Sequence, residues 1–189
     1  MKQHAALTLL PLLLTLALAS TASARDCEGV TLPNAVTVEG TRLVLNGMGV
    51  REATVFNVNV YVAGLYLPGR TRDASQVLRT DQPTRLVMSF VREVERNDIV
   101  DAFRAGFRAS SGATQAQIQR LVGFLPAAQE GTVLTFTYVP GTGLSVRVGN
   151  RVRGTIEGAE FAHAFLGIWL GSSPPNSGLK SGLLGGQCG

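Results

Sequence analysis

The chain is poor in the residues that build metal and nucleotide sites. It holds two cysteines and two histidines among 189 residues, which excludes a multi-cysteine zinc site. Lysine occurs only at Lys2 and Lys180. There is no block of basic residues and no basic–aromatic alternation, so a nucleic-acid role has no support. No G-x-S-x-G elbow occurs. Gly47-x-Gly49 is no dinucleotide fingerprint, because Glu52 stands where that pattern needs glycine and a strand follows in place of a helix. Glycine is plentiful at 22 residues, but without the three-residue period of a collagen-like chain. Charged residues make up 16% and hydrophobic residues 45%, which excludes a disordered polar chain. Neither an internal repeat nor a long linker is present, so residues 25–189 read as a single domain.

What the chain does have begins with an export signal. Residues 1–24 open with Lys2, continue through an apolar run from Ala5 to Ala19, and end in the small-x-small site Ala22-Ser23-Ala24. That is the pattern of a cleaved secretory signal peptide. A retained anchor is the alternative, although the run is short for a bilayer span. No other stretch is long and apolar enough to cross a membrane, so no transmembrane segment is expected after cleavage. The expected location is outside the cytoplasm, in the periplasm. Cleavage removes Lys2 and His4 and leaves a weakly basic chain in which arginine is the main cation.

The two cysteines then lie at the two ends of the mature chain, Cys27 just past the cleavage site and Cys188 at the penultimate position. Export places both in an oxidising compartment, where one disulfide joining the termini is expected. Two unpaired thiols on frayed ends are the alternative. Neither has a histidine nearby in sequence to suit a catalytic thiol.

Between these ends the hydrophobic pattern predicts strands at 35–39, 42–46, 53–67, 84–91, 132–139, 144–148 and 151–156. It predicts helices at 73–79, 95–109, 114–125, 159–170 and 177–184. Gly149-Asn150 reads as a tight hairpin turn. In the long strand, Phe56, Val58, Val60 and Val62 share one face, and Asn57, Asn59 and Tyr61 the other. The second face meets water or lines a pocket. The order of elements points to an α+β fold, an antiparallel sheet with a layer of helices on one face. Apolar helix faces at Ile99, Phe103 and Phe107, and at Phe165–Leu170, either pack on that sheet or leave a cavity for an apolar ligand.

Few residues offer chemistry. Arg51 follows Gly47-Met48-Gly49, and glycines beside a strand signal a bulge or a close backbone approach. An arginine at the mouth of an apolar cavity binds a carboxylate or an enolate-like oxygen, whereas on a strand end it simply meets solvent. His163, the one histidine of the mature chain, reads as solvated; a haem or metal ligand is the alternative. Glu93, Glu95, Asp98 and Asp101, interleaved with Arg92, Arg96 and Arg104, read as a solvated ion-pair surface. No metal site and no cofactor is expected.

Three segments resemble a known family: GMGVREATVFNVNVYVAGLYL at Gly47–Leu67, LVMSFVREVERNDIVDAFRAGF at Leu86–Phe107, and FAHAFLGIWLGSSPPNSGLKSGLLG at Phe161–Gly185. They are similar to the bacterial exported branch of the chalcone isomerase-like family, over about Val38 to Gly185. The resemblance implies an open-faced sandwich of antiparallel sheet and helices enclosing a ligand cleft. In the family's plant enzymes the arginine of G-x-G-x-R stabilises an enolate, and in its fatty-acid-binding members it holds the lipid carboxylate. Arg51 matches that position, which implies that it faces the ligand. The threonine expected in the next strand falls at Tyr61. The hydroxyl residue expected in the penultimate helix falls at Ile168, and the segment bearing the enzyme's tyrosine and asparagine is shortened between Phe107 and Gln117.

These departures remove the hydrogen bonds that would orient a cyclising substrate. The expected function is therefore an exported, non-catalytic binding protein for a small apolar or amphipathic acid such as a fatty acid. Arg51 pairs the carboxylate and Tyr61 adds a hydrogen bond. An isomerase or lyase acting on an enone, using Arg51 and Tyr61, is the alternative in a different class. A partner-binding envelope domain and a haem binder are others.

Overall fold

The computed structural model describes residues 23–53, 58–110 and 112–188. The expected signal segment lies outside the described residues, apart from Ser23 and Ala24. So do Phe56 and Asn57.

Two short strands that the hydrophobic pattern does not announce come first. β1 (Ala24–Cys27) and β2 (Val30–Pro33) form a separate antiparallel hairpin. Its turn is Glu28-Gly29, both at positive φ, 49° and 77°. The same pair recurs as Glu39-Gly40, at 45° and 78°, joining β3 (Ala35–Val38) to β4 (Thr41–Ala53). Two residues with positive φ match the twist of a tight hairpin. Asn or Asp ordinarily precedes the glycine there, so glutamate hid the first turn; the second falls between the expected strands 35–39 and 42–46, one residue before the expected Gly40-Thr41.

The main sheet is a seven-stranded antiparallel meander in the order β3 to β9. After β4 come β5 (Val58–Leu67), β6 (Thr84–Phe90), β7 (Val133–Val139), β8 (Gly143–Val148) and β9 (Arg151–Ile156). The expected strand 53–67 is thus divided. Ala53 ends β4, and β4 itself runs unbroken through Gly47 and Gly49. Gly149-Asn150 closes the β8–β9 hairpin as expected, with Val148 opposite Arg151.

Five helices lie on one face: α1 (Ala74–Arg79), α2 (Arg96–Arg108), α3 (Gln115–Phe124), α4 (Ala159–Leu170) and α5 (Ser177–Leu183). Their starts follow local chemistry. Asp73 accepts from the Ser75 amide at α1, and Thr114 and Gln117 form a capping box at α3, satisfying amides that have no intrahelical partner. All five helices contribute to one large core with the inward residues of β5–β9, among them Leu65, Leu86, Phe136, Phe103, Phe165 and Trp169. The architecture is the expected α+β arrangement.

The opposite face of β3–β5 is also covered. Leu43, Leu45, Val50, Val62 and Tyr66 meet Cys27 and Leu32 of the β1–β2 hairpin in a second core. Cys27 is disulfide-bonded to Cys188, with Cα atoms 5.8 Å apart, so the hairpin is tied to the tail that follows α5. None of the described helices is long and apolar enough to cross a membrane.

Candidate functional site

The site begins with the two glycines of β4. Gly47 and Gly49 point toward the helical face, where α5 lies backbone against backbone. A methyl group at Gly47 would overlap the Gly182 carbonyl, and one at Gly49 the Leu179 carbonyl. Side chains on either side fix this contact. Asn46, the extra residue at a bulge in β4, donates to Leu183 O at 2.7 Å and accepts from the Thr71 amide at 2.8 Å. Asn176, just before α5, donates to Val50 O at 3.1 Å. Lys180 donates to Gly171 O at 2.7 Å, a cation at the C-terminal end of α4. These bonds explain the spacing between Ile168-Trp169-Leu170-Gly171 and Leu179-Lys180.

Arg51 is the next residue on that face, past the end of α5. It is half-buried, stands opposite Tyr61 of β5, and donates to the Glu52 carbonyl. The pairing then steps from Arg51–Tyr61 to Glu52–Asn59. Val60 is therefore a bulged residue, and it lines the same cleft as Tyr61. The sequence pattern put Val60 on the opposite face with Val62. A bulge adds one residue and breaks that alternation.

The cleft measures about 840 Å³ and lies between β4–β6 and helices α2 and α4. That volume falls within the range of small-molecule sites, about 300–1,000 Å³. Its inner wall is Met88, Phe90, Ile99, Phe103, Ile168 and Trp169, all buried. Along α2 and at the residue that ends it, Ala102, Ala105, Gly106 and Ala109 face it. Gly106 lets Ile168 of α4 pack against the helix, and the alanines leave space. This stripe of small residues at helical spacing was a legible signal that attention to the larger Ile99, Phe103 and Phe107 overlooked.

Tyr61 carries the polar chemistry of the interior. Its hydroxyl accepts a hydrogen bond from Trp169 Nε1 at 2.9 Å, and both residues are buried. Burial pushes its pKa up to about 12, against the opposing effects of the Trp169 bond and the Arg51 charge. A buried phenol resists ionisation because its anion loses hydration. At neutral pH Tyr61 is therefore a hydrogen-bond donor. Arg51 and Tyr61 together present two donors to a negatively charged or carbonyl oxygen, with an apolar wall behind them.

The acidic cluster is solvated as expected, with Glu93, Glu95, Asp98 and Asp101 exposed, but it is sparsely paired. Arg96 turns away from it to the end of α3, donating to Leu125 O at 2.9 Å and Val122 O at 3.0 Å. Among the described residues the one ion pair is Arg104–Asp101, at 3.7 Å and exposed. Glu93, Glu95 and Asp98, with Arg92, line the cleft. His163 is half-buried and so only partly solvated: its Nε2 is buried without a hydrogen-bond partner, and its ring lies beside the Tyr138 ring at 6.2 Å between centroids. Helix α4 is buried on most sides, and its histidine lies on the one less buried strip, with Ala159, Glu160 and Gly167. Among the described residues no group of three His, Cys, Asp or Glu is arranged to hold a metal ion.

No curated protein matches the sequence. In three dimensions the chain is similar to the crystal structure of a fatty-acid binding protein from Arabidopsis thaliana. The TM-score is 0.70 at 15% identity, covering 86% of this chain and 96% of that one. That likeness establishes a shared fold. A family model described as chalcone isomerase-like matches residues 24–185, which include both ends of the disulfide-bonded hairpin and every residue of the cleft. The chain belongs to the chalcone isomerase-like family.

Proposed function

We propose that this chain is an exported, non-catalytic binding protein for a small apolar acid such as a fatty acid. One observation carries the proposal: Arg51 and Tyr61 stand on neighbouring strands at one side of a cleft whose inner wall is apolar, while the exposed Arg92, Glu93, Glu95 and Asp98 line it toward solvent. The guanidinium pairs the carboxylate through two parallel donors. Tyr61 adds a neutral donor that remains protonated at any physiological pH. The tail lies along Met88, Phe90, Ile99 and the alanines of α2. Each buried methylene contributes about 0.8 kcal/mol, so the tail supplies most of the affinity and the polar pair sets orientation. The fatty-acid binding activity named for the Arabidopsis relative supports this ligand class.

Two further features support the reading. Ile168 on the cleft wall is apolar, and it offers nothing to orient a reacting phenolate or water. The signal-like segment 1–24 and the Cys27–Cys188 bond fit a periplasmic location, because disulfides persist in oxidising compartments. The test is native mass spectrometry beside an organic extract of protein produced by export, for wild type and Arg51→Ala. The expected result is a co-purifying amphipathic acid in the wild type that is depleted in the variant. An empty cleft in both would overturn the carrier reading and favour turnover of an enone or a protein partner.

A further inference from the structure

We infer that Trp169 is a positioning residue for ligand recognition: its indole N–H holds the Tyr61 hydroxyl so that the phenolic proton is presented to an anionic ligand head beside Arg51. The inference rests on the acid-binding reading above and assigns to the site a selectivity for the ionised acid over a neutral head of the same length.

The argument starts from the hydroxyl's capacity. A phenol has one proton to donate and also accepts. Its proton lies near the ring plane, on one side of the oxygen or the other. Trp169 Nε1 donates to Tyr61 Oη at 2.9 Å, and an N–H on one side turns the phenolic proton to the opposite side. Trp169 has no acceptor atom of its own, so this bond has a single direction. Among the described residues no protein group accepts the Tyr61 proton. A buried donor left without an acceptor is costly, and Tyr61 is 8% exposed. The open space it faces is the cleft that Arg51 also lines.

Packing holds the indole rigidly enough for this role. Trp169 is wedged against Phe165 at 4.9 Å and Phe103 at 5.7 Å between ring centroids, and Tyr61 leans on Phe90 at 5.7 Å. Both partners of the bond are thus fixed before any ligand arrives, and a fixed donor costs little ordering entropy on binding. The chain of bonds is also cooperative. When Tyr61 donates to an anion its oxygen becomes a better acceptor, and the Trp169 bond strengthens.

The test compares decanoate with decan-1-ol by calorimetric titration in wild type, Trp169→Phe, Tyr61→Phe and the double variant. The wild type is expected to prefer the acid. Trp169→Phe is expected to weaken decanoate about tenfold, the scale of one hydrogen bond to a charged group, and to leave decan-1-ol within about twofold. In the Tyr61→Phe background the same change is expected to have no further effect on the acid. An equal loss for acid and alcohol, or a loss that persists without the Tyr61 hydroxyl, would make Trp169 a packing residue and overturn the inference. A wild type that binds the acid no better than the alcohol would overturn the acid-binding reading itself. A second readout needs no substitution at Trp169. The chain has one tryptophan, so it gives one indole N–H resonance. That resonance is expected to move downfield with decanoate and to stay in place with decan-1-ol; an identical response to both would overturn the inference.

Discussion

The two faces of the sheet solve the same problem differently. On the hairpin side a glycine makes a hole that the protein fills: a methyl at Gly64 would overlap the Leu32 side chain of β2. On the helical side Ala102, Ala105 and Ala109 make a hole beside Arg51 and Tyr61 that the described residues leave open. Small residues alone therefore do not mark a binding site. A small residue opposite a large one is packing, and a small residue opposite a polar pair with an apolar wall is room for a ligand. One face is closed by a covalent bond, and the other keeps its volume.

The largest effect that separates the faces is loss of the disulfide. Cys27→Ser with Cys188→Ser is expected to lower stability by up to about 5 kcal/mol, because the bond closes a loop of 161 residues. Denaturant unfolding measures the loss, while decanoate affinity measured below the transition stays within about twofold. Next, Leu32→Ala is expected to cost about 3 kcal/mol, since it empties a filled space in a buried core. Ala105→Leu, in contrast, is expected to leave stability within about 0.5 kcal/mol and to weaken decanoate at least about tenfold by filling the cleft. If Leu32→Ala were as harmless to stability as Ala105→Leu, the contrast between the faces would fail.

Alkaline pH sharpens the comparison. The Tyr61 pKa rises from 10.0 in the unfolded chain to about 12 in the folded one. Between those values the unfolded state has lost the proton that the native state retains, so the unfolded state binds fewer protons and stability falls as pH rises. The contribution is whole below about pH 10 and declines by on the order of 3 kcal/mol through about pH 12. Unfolding curves of wild type and Tyr61→Phe across that window check it: the variant is expected to show a shallower decline.

Much of this was legible in the sequence, and the remainder was not for particular reasons. The chain ends joined by Cys27 and Cys188, the helices from α1 to α5 and the meander of β6 to β9 follow from spacing and capping. Gly47 and Gly49 announced a close backbone approach, and α5 supplies it. The Glu28-Gly29 turn was missed, and the next was placed one residue late, because glutamate is unusual at positive φ. Val60 was assigned to the wrong face because a bulge is a tertiary event that a two-residue period does not register. Ala53 was joined to β5 because β-rich residues continue across the break. The bond from Trp169 to Tyr61 spans 108 positions, and no local pattern reports it. His163 does lie on the less buried strip of α4, but the Tyr138 ring that half-covers it comes from another element and leaves no mark along the helix. Arg51 became prominent through resemblance rather than spacing, since an arginine at a strand end is ordinary until a cleft is found beside it.

The most direct measurement is titration of decanoate into delipidated protein, wild type against Arg51→Ala, with the unfolding temperature of each recorded. Arg51 is half-buried and lies beyond the α5 contact, so the variant is expected to unfold at an unchanged temperature. The account predicts one acid per wild-type chain and an affinity at least about tenfold weaker in the variant, the scale of a charged hydrogen bond. Equal affinity in the two proteins would contradict it.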